Sequence, residues 1–203
     1  MMRSRYISIV ICLLLSLSSS AQKQKEPGAK EQINMLKNGA LFIRLKTSEN
    51  LINALIAKGK TEEAEKVKQE QYAKNKEIAK AFSEYLTFCK VYFFYSNNSA
   101  KISSGNYQGC LMNASLETDT SFAGNDYLTA EFDESETTGI DAFVIKDKNF
   151  KQLKSPFPFM IRLNKTLVIE RKKGEVAQEL NQKLEEFYLR NMGGKKIKSA
   201  TSE

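Results

Sequence analysis

The stretch Ala57-Lys58-Gly59-Lys60-Thr61 is the clearest structural signal in this sequence. Glycine readily adopts the left-handed conformation that ends many helices, and the Thr61 hydroxyl can accept hydrogen bonds from the free amides that begin the next helix. Glu62 and Glu63 follow at positions where negative charge is favourable near a helix N-terminus. The pattern predicts that one helix ends and another begins within these five residues.

Apolar residues recur at helical spacing on both sides of this turn. Those before it are Ile33, Leu36, Ala40, Ile43, Leu51 and Leu55, and those after it are Ala64, Val67, Ile78, Phe82 and Tyr85. Each arm would extend about 40 Å at about 1.5 Å per residue, so the two arms can pair along their length. We therefore predict a long antiparallel helical hairpin of coiled-coil type over residues 31–89.

The periodicity changes after the hairpin, where aromatic and β-branched residues predict strands. The predicted strands cover residues 90–96, 127–132, 140–147, 159–163 and 167–170, with a weaker one at 109–113. A final helix is predicted over 175–190, with an apolar face formed by Val176, Leu180, Leu184 and Phe187. The expected fold is α+β: the hairpin, then a mainly antiparallel sheet of five to six strands closed by a C-terminal helix, over residues 90–192.

The first residues have the layout of a secretory signal peptide. Arg3 and Arg5 precede an apolar run over 7–17, and small residues lead to a cleavage site between Ala21 and Gln22. We expect residues 1–21 to be removed and the protein to be exported, periplasmic or extracellular, without a stable transmembrane segment. An uncleaved anchor is the alternative. Residues 22–30 are expected to form a flexible leader, and 193–203 a disordered tail.

Charge is unevenly distributed along the second half. The chain carries a formal net charge of +7, yet residues 102–145 contain no Lys or Arg and eight carboxylates. These are Glu117, Asp119, Asp126, Glu131, Asp133, Glu134, Glu136 and Asp141. Hard cations prefer clustered oxygens, so the acidic loops 117–136 suggest a divalent-cation or small-ligand site, while solvated loops are the alternative. The modest basic balance does not indicate nucleic-acid binding.

The chain contains no histidine. This excludes a Ser-His-Asp or Cys-His arrangement, imidazole-ligated zinc and a histidine general base. There is also no phosphate-binding Walker loop and no glycine-rich dinucleotide fingerprint, so we expect no cofactor. A carboxylate pair such as Glu131 with Asp133 or Glu134 can still act in acid–base chemistry. A histidine-independent enzyme is nevertheless the least favoured class, and we predict that the protein is not an enzyme.

Two cysteines remain after removal of the signal peptide, Cys89 and Cys110. An exported protein resides where disulfides form, and an even count favours a bond between them. Two buried free thiols, packed as small hydrophobic residues, are the alternative. The sequence leaves both outcomes open, because the distance between the two positions decides.

The expected function is therefore non-catalytic binding of an envelope protein or a surface polymer. The apolar stripe of the second helix fades between residues 68 and 77, which leaves a polar surface on an element longer than a small core needs. The predicted contact surface combines this segment with an aromatic loop near Pro158: Lys68, Glu70, Tyr72, Lys74, Lys76, Phe157 and Phe159. The alternative is a small-ligand or cation-binding module that uses the acidic loops.

Overall fold

The fold comes from a computed structural model, which describes residues 27–164 and 169–192. The elements are α1 (Ala29–Asn38), β1 (Ala40–Leu45), α2 (Glu49–Ala57), α3 (Thr61–Tyr85), β2 (Lys90–Tyr95), a 3₁₀ turn (Ser96–Asn98), α4 (Ser99–Ser103), β3 (Tyr127–Glu134), β4 (Asp141–Lys146), β5 (Met160–Arg162) and α5 (Lys173–Met192). The predicted signal peptide and its cleavage site, residues 22–26 of the leader, residues 167 and 168 of the strand predicted at 167–170, and the tail at 193–203 lie outside the described residues.

The α+β prediction is confirmed, but the predicted sheet is wrong in its strand directions. The five strands form one mixed sheet in the order β2-β1-β3-β4-β5. β1 pairs in parallel with both β2 and β3, whereas β3 with β4 and β4 with β5 are antiparallel. The expected antiparallel neighbours are therefore present in the second half only.

The predicted 31–89 hairpin is also wrong, because β1 interrupts its first arm. β1 is buried on both faces, and such a strand is a continuous apolar run instead of an alternating one. Its residues Ala40 and Ile43 happen to continue the helical spacing of α1, so periodicity alone could not distinguish the two states. Gly39 makes the break possible, since a Cβ built there would lie 1.9 Å from the Asp126 carbonyl oxygen.

The turn at 57–61 is confirmed. α2 ends at Ala57, α3 begins at Thr61, and Gly59 has a φ of +73°. Lys60, and not Thr61, occupies the N-cap position of α3. The helical pairing that remains is between the nine-residue α2 and the first half of the 25-residue α3.

One sheet face, here called the helical face, is covered by α1, α3 and α5. Its strand residues alternate along the chain as Leu41, Ile43 and Leu45 in β1, and they form one buried cluster with helical residues. The predicted apolar face of the last helix is confirmed, because Val176, Leu180, Leu184 and Phe187 are all buried in this cluster. α3 contributes only its second half, through Ile78, Ala79 and Phe82.

The opposite sheet face, here called the aromatic face, is covered by α4 and the irregular segment 104–126. Phe42 lies at its centre, stacked on Tyr127 with ring centroids 4.4 Å apart and in edge contact with Tyr92 and Phe122. The Tyr127 hydroxyl donates to the Ile102 carbonyl at 2.6 Å, which ties α4 to the sheet. Aromatic packing thus replaces a second helical layer on this side.

Candidate binding groove

The chain leaves two neighbouring parallel strands toward opposite sides of the sheet. β1 leads into α2 and α3, and α3 packs on the helical face through Phe82. β2 leads into α4, whose Ile102 packs on the aromatic face. In open sheets with parallel strands, ligands bind in the crevice outside the carboxyl ends of the strands where the connections diverge in this way. The carboxyl ends of β1 and β2 form such a position here.

A groove of 740 Å³ opens at this position, between α2 and α3. Ile52 and Ile56 of α2 form one wall, and Ala64 and Tyr72 of α3 belong to the other. The end of the groove against the sheet is formed by Thr47, Tyr95 and Asn97, which immediately follow or end the two strands. Most of the exposed surface of the groove is apolar, although nine of its fourteen lining residues are polar or charged and these lie along α3 as well as at the sheet end.

α2 is an apolar helix without a fully buried side chain. Six of its nine residues are apolar, and none of the nine, all of which the structure describes, is buried. Leu51 is 53% exposed and Ile56 52% exposed, while Tyr72 on the facing helix is 50% exposed. Helices of globular proteins usually bury such residues against a core. This pair of helices therefore presents an apolar surface that the described part of the chain leaves uncovered.

A chain of hydrogen bonds fixes the turn between β1 and α2 onto α3. Ser48, which has a φ of +55°, donates from its hydroxyl to Gln71 Oε1 at 2.7 Å. Gln71 Nε2 donates to Asn75 Oδ1 at 3.0 Å, and Asn75 Nδ2 donates to the Lys46 carbonyl at 2.8 Å. Asn75 is only 2% exposed, so these bonds are made away from solvent. The network thus attaches the start of α2 to the middle of α3.

Two further contacts join the ends of β1 and β2. The Thr47 and Ser96 hydroxyl oxygens are 3.2 Å apart, and Asn97 Nδ2 donates to Glu49 Oε1 at 2.9 Å. The second bond connects the start of α2 to the turn after β2. The sheet end of the groove is thus closed by polar side chains that already have partners in the fold.

A cluster of four charges lies on the aromatic face of the sheet. Glu131 accepts hydrogen bonds from Arg44 Nη1 at 2.7 Å and from Lys146 Nζ at 2.9 Å, and Lys146 also donates to Asp133 at 2.9 Å. Glu131 and Lys146 are 4% and 6% exposed. Arg44 Nε donates to Ser99 Oγ at 2.9 Å, which connects the cluster to the start of α4. Each buried charge is matched by one of opposite sign.

The electrostatics of this cluster keep Asp133 and Lys146 ionised. Burial raises the pKa of Asp133, but the hydrogen bond and charge of Lys146 outweigh it, so that the pKa lies below its usual value. Burial lowers the pKa of Lys146, but the hydrogen bonds and charges of Glu131 and Asp133 raise it above its usual value. A general acid or base needs a pKa near the working pH. Asp133, one of the carboxylates considered from the sequence, is therefore held ionised by Lys146 and is not poised for proton transfer.

The predicted contact residues separate into three groups. Lys68 and Tyr72 line the groove. Glu70, Lys74 and Lys76 are exposed on α3 outside it. Phe157 is 1% exposed and packs edge-to-face against Phe187 of α5, so its side chain is not available at the surface, whereas Phe159 is half-buried against the same core. The segment is a loop, as its prolines indicate, and its aromatic rings pack against the core.

The two cysteines are free thiols in the structure. Cys89 packs against the cluster on the helical face, and Cys110 is buried in the cluster on the aromatic face. Burial raises the pKa of the Cys89 thiol to about 12, and the Leu41 backbone and the Lys37 charge offset this only in part. The free-thiol alternative describes this structure, because the two side chains belong to different layers.

The acidic residues of 117–136 are dispersed in the structure. Asp119 accepts a hydrogen bond from the Ser121 amide at 2.8 Å, and bonds from Ser121 hold the Asp119 pKa below its usual value. Glu131 and Asp133 are engaged by Lys146, as described above. Within residues 27–164 and 169–192, no group of three or more Cys, Asp and Glu side chains is arranged to hold a metal ion.

Ile52, Ile56, Asn75 and Tyr95 belong to the groove but were absent from the predicted surface. Their positions depend on β1 and β2 lying side by side in parallel, which local patterns do not specify. The sequence did contain one indication of the groove. The α2 segment Glu49–Ala57 is strongly apolar, and α3 has few apolar residues that could cover it.

Comparisons with protein-family models, with curated proteins and with solved structures gave no match to this chain. Among the helices that the structure describes, none combines the length and the apolar character needed to cross a membrane.

Proposed function

We propose that this chain is an exported, non-catalytic protein of the cell envelope that binds another protein through the groove between α2 and α3. The observation that supports the proposal most directly is the uncovered apolar surface of α2, where six of nine residues are apolar and none is buried. Contiguous exposed apolar surface on a folded protein marks interaction sites. A surface polymer remains the other partner class, but the apolar walls favour a protein.

The groove also has the composition of a protein-contact hot spot. Tyr72 and Ile56 are half-exposed at the groove, and binding energy usually concentrates on a few such aromatic and aliphatic anchors near the centre of an interface. Lys68 and Glu65 lie among them and form a weak exposed pair at 3.7 Å. The proposed contact surface thus retains the polar middle of the second helix, as predicted from the sequence. Its apolar part is supplied by α2.

The proposal is tested by affinity capture of the tagged full-length chain from cross-linked cells, in two variants matched for chemistry. Ile56→Asp places a charge in the groove, whereas Leu189→Asp makes the same kind of change at a residue of α5 that is 67% exposed. Both positions are exposed, so both variants should fold. A partner lost at least about tenfold with Ile56→Asp and kept with Leu189→Asp is the expected result. Equal recovery with the two variants would refute the groove as the contact surface.

A small apolar ligand is the second candidate, and the size of the groove is the observation that favours it. Ligand sites commonly measure about 300–1,000 Å³ and lie at diverging strand connections. Native mass spectrometry of the purified protein separates the two candidates, because a retained small molecule adds a discrete mass.

A divalent cation in the acidic loops is tested by the melting temperature with and without calcium, which rises only if the folded state binds the ion.

A further inference from the structure

We propose that the partner segment held in the groove is an amphipathic α-helix, which lies along α2 and α3 and completes a three-helix packing. This inference rests on the proposed function and names the kind of segment that the same groove accepts. It follows from the shape of the walls, from their main-chain hydrogen bonding and from their charge.

The walls have the shape that a third helix requires. The groove-lining residues of α3 include Thr61, Ala64, Lys68, Tyr72 and Asn75, which are spaced three or four apart and form one helical stripe. The distance from the first to the last is about 21 Å along the helix axis at about 1.5 Å per residue, which equals about four turns. Ridges with this spacing interdigitate with the ridges of another helix.

The main chain of the walls favours a helix over an extended segment. Both walls are helices, α2 and α3, whose N–H and C=O groups are bonded within each helix. An extended segment between them would find no sheet edge along the walls, and its buried main-chain groups would be left without hydrogen-bond partners, which is strongly unfavourable. A helix satisfies its own main chain and needs only side-chain contacts.

The charge of the two walls indicates an apolar partner face. Three charged residues line the groove, and each has a partner in the fold: Glu65 pairs with Lys68 at 3.7 Å, and Glu49 accepts a hydrogen bond from Asn97 at 2.9 Å. Because these charges are already engaged and the exposed surface between them is mainly apolar, the groove offers little electrostatic attraction to a strongly charged helix. Ala64 is buried and small, which allows a close approach, and Ile56 and Tyr72 on the two sides provide the contacts.

The test places a photo-cross-linking residue, p-benzoylphenylalanine, at Thr61 or at Tyr72 in the full-length chain inside cells. Both positions are exposed on one straight helix and lie about 16 Å apart along its axis. The cross-linked partner residues are then identified by peptide mass spectrometry. A bound helix should place the two cross-linked residues about 11 positions apart, whereas an extended segment should place them about five apart.

Spacing near 11 positions supports the inference. Spacing near five would overturn the helix while leaving the proposed protein-binding function in place, and so would cross-links into a second copy of this chain. Absence of any polypeptide cross-link at both positions would overturn the helix and the proposed function together. The same residue introduced at Leu189 is the control, and it should not cross-link to the partner.

Discussion

Replacement of Asn75 by alanine tests how much the hydrogen-bond network beside the groove contributes to the stability of the fold. Asn75 is 2% exposed and connects the Lys46 carbonyl, at 2.8 Å, to Gln71. A net hydrogen bond contributes about 0.5–1.5 kcal/mol, and a buried group left without its partner costs about 1–3 kcal/mol. We expect the free energy of unfolding to fall by about 2 kcal/mol, which lowers the melting temperature of a chain of this size by about 4–8 °C.

The assay is equilibrium urea unfolding together with thermal melting of purified protein. Gln69→Ala is the matched control, because Gln69 lies on the same helix and its only described bond joins an exposed Glu65 at 3.2 Å. Its effect should stay within about 0.5 kcal/mol. Asn75→Leu keeps most of the side-chain volume but removes the bond to Lys46. It should therefore still destabilise the protein, because the loss comes from the hydrogen bond and not from packing. A loss below about 0.5 kcal/mol in both Asn75 variants would refute the reasoning.

Three further predictions concern the core. Lys146→Met leaves the buried Glu131 with Arg44 as its remaining charged partner, and we expect a loss of about 3 kcal/mol in urea unfolding; an unchanged midpoint would contradict this. The Cys89 pKa is raised to about 12, so the contribution of this thiol to stability is complete below about pH 8.5 and is lost as the pH rises toward 12. The free energy of unfolding should therefore fall over that pH range, and it should fall less steeply for Cys89→Ala. Equal slopes for the two proteins would contradict this. Gly39→Ala should destabilise by about 3 kcal/mol or more because its Cβ meets backbone at 1.9 Å, whereas Gly28→Ala meets nothing within 4 Å and should be nearly neutral in the same melting assay.

Elements with distinctive spacing or residue types were predictable from local patterns. α5 and its buried residues, the turn at Gly59 and the strands β2, β3 and β4 follow from spacing and residue type, and the structure confirms them. β1 was not predictable in this way. Its apolar residues face both layers, so the alternation that identifies a strand is missing, and the helical spacing of the preceding residues runs into it.

The site was less predictable than the fold, because it is assembled from segments far apart in the chain. Lys68 and Tyr72 were identified from the fading apolar stripe of α3, and both line the groove. Tyr95 joins them only because β1 and β2 pair in parallel, and a local pattern carries no information about such pairing. Phe157 was misplaced for the converse reason, since nothing in its neighbourhood indicates that α5 packs over it.

The position of β1 at the centre of the parallel strands has a kinetic consequence. Its Arg44 meets Glu131 of β3 across 87 positions of the chain, so β1 cannot complete its pairing until most of the protein has been synthesised. Closing a loop of that length costs about 4 kcal/mol of chain entropy beyond a constant contribution. We expect slow folding limited by this closure, during which an apolar six-residue segment with a single charge is open to other chains. The yield of folded protein at high concentration should therefore depend on β1 more than on any helix.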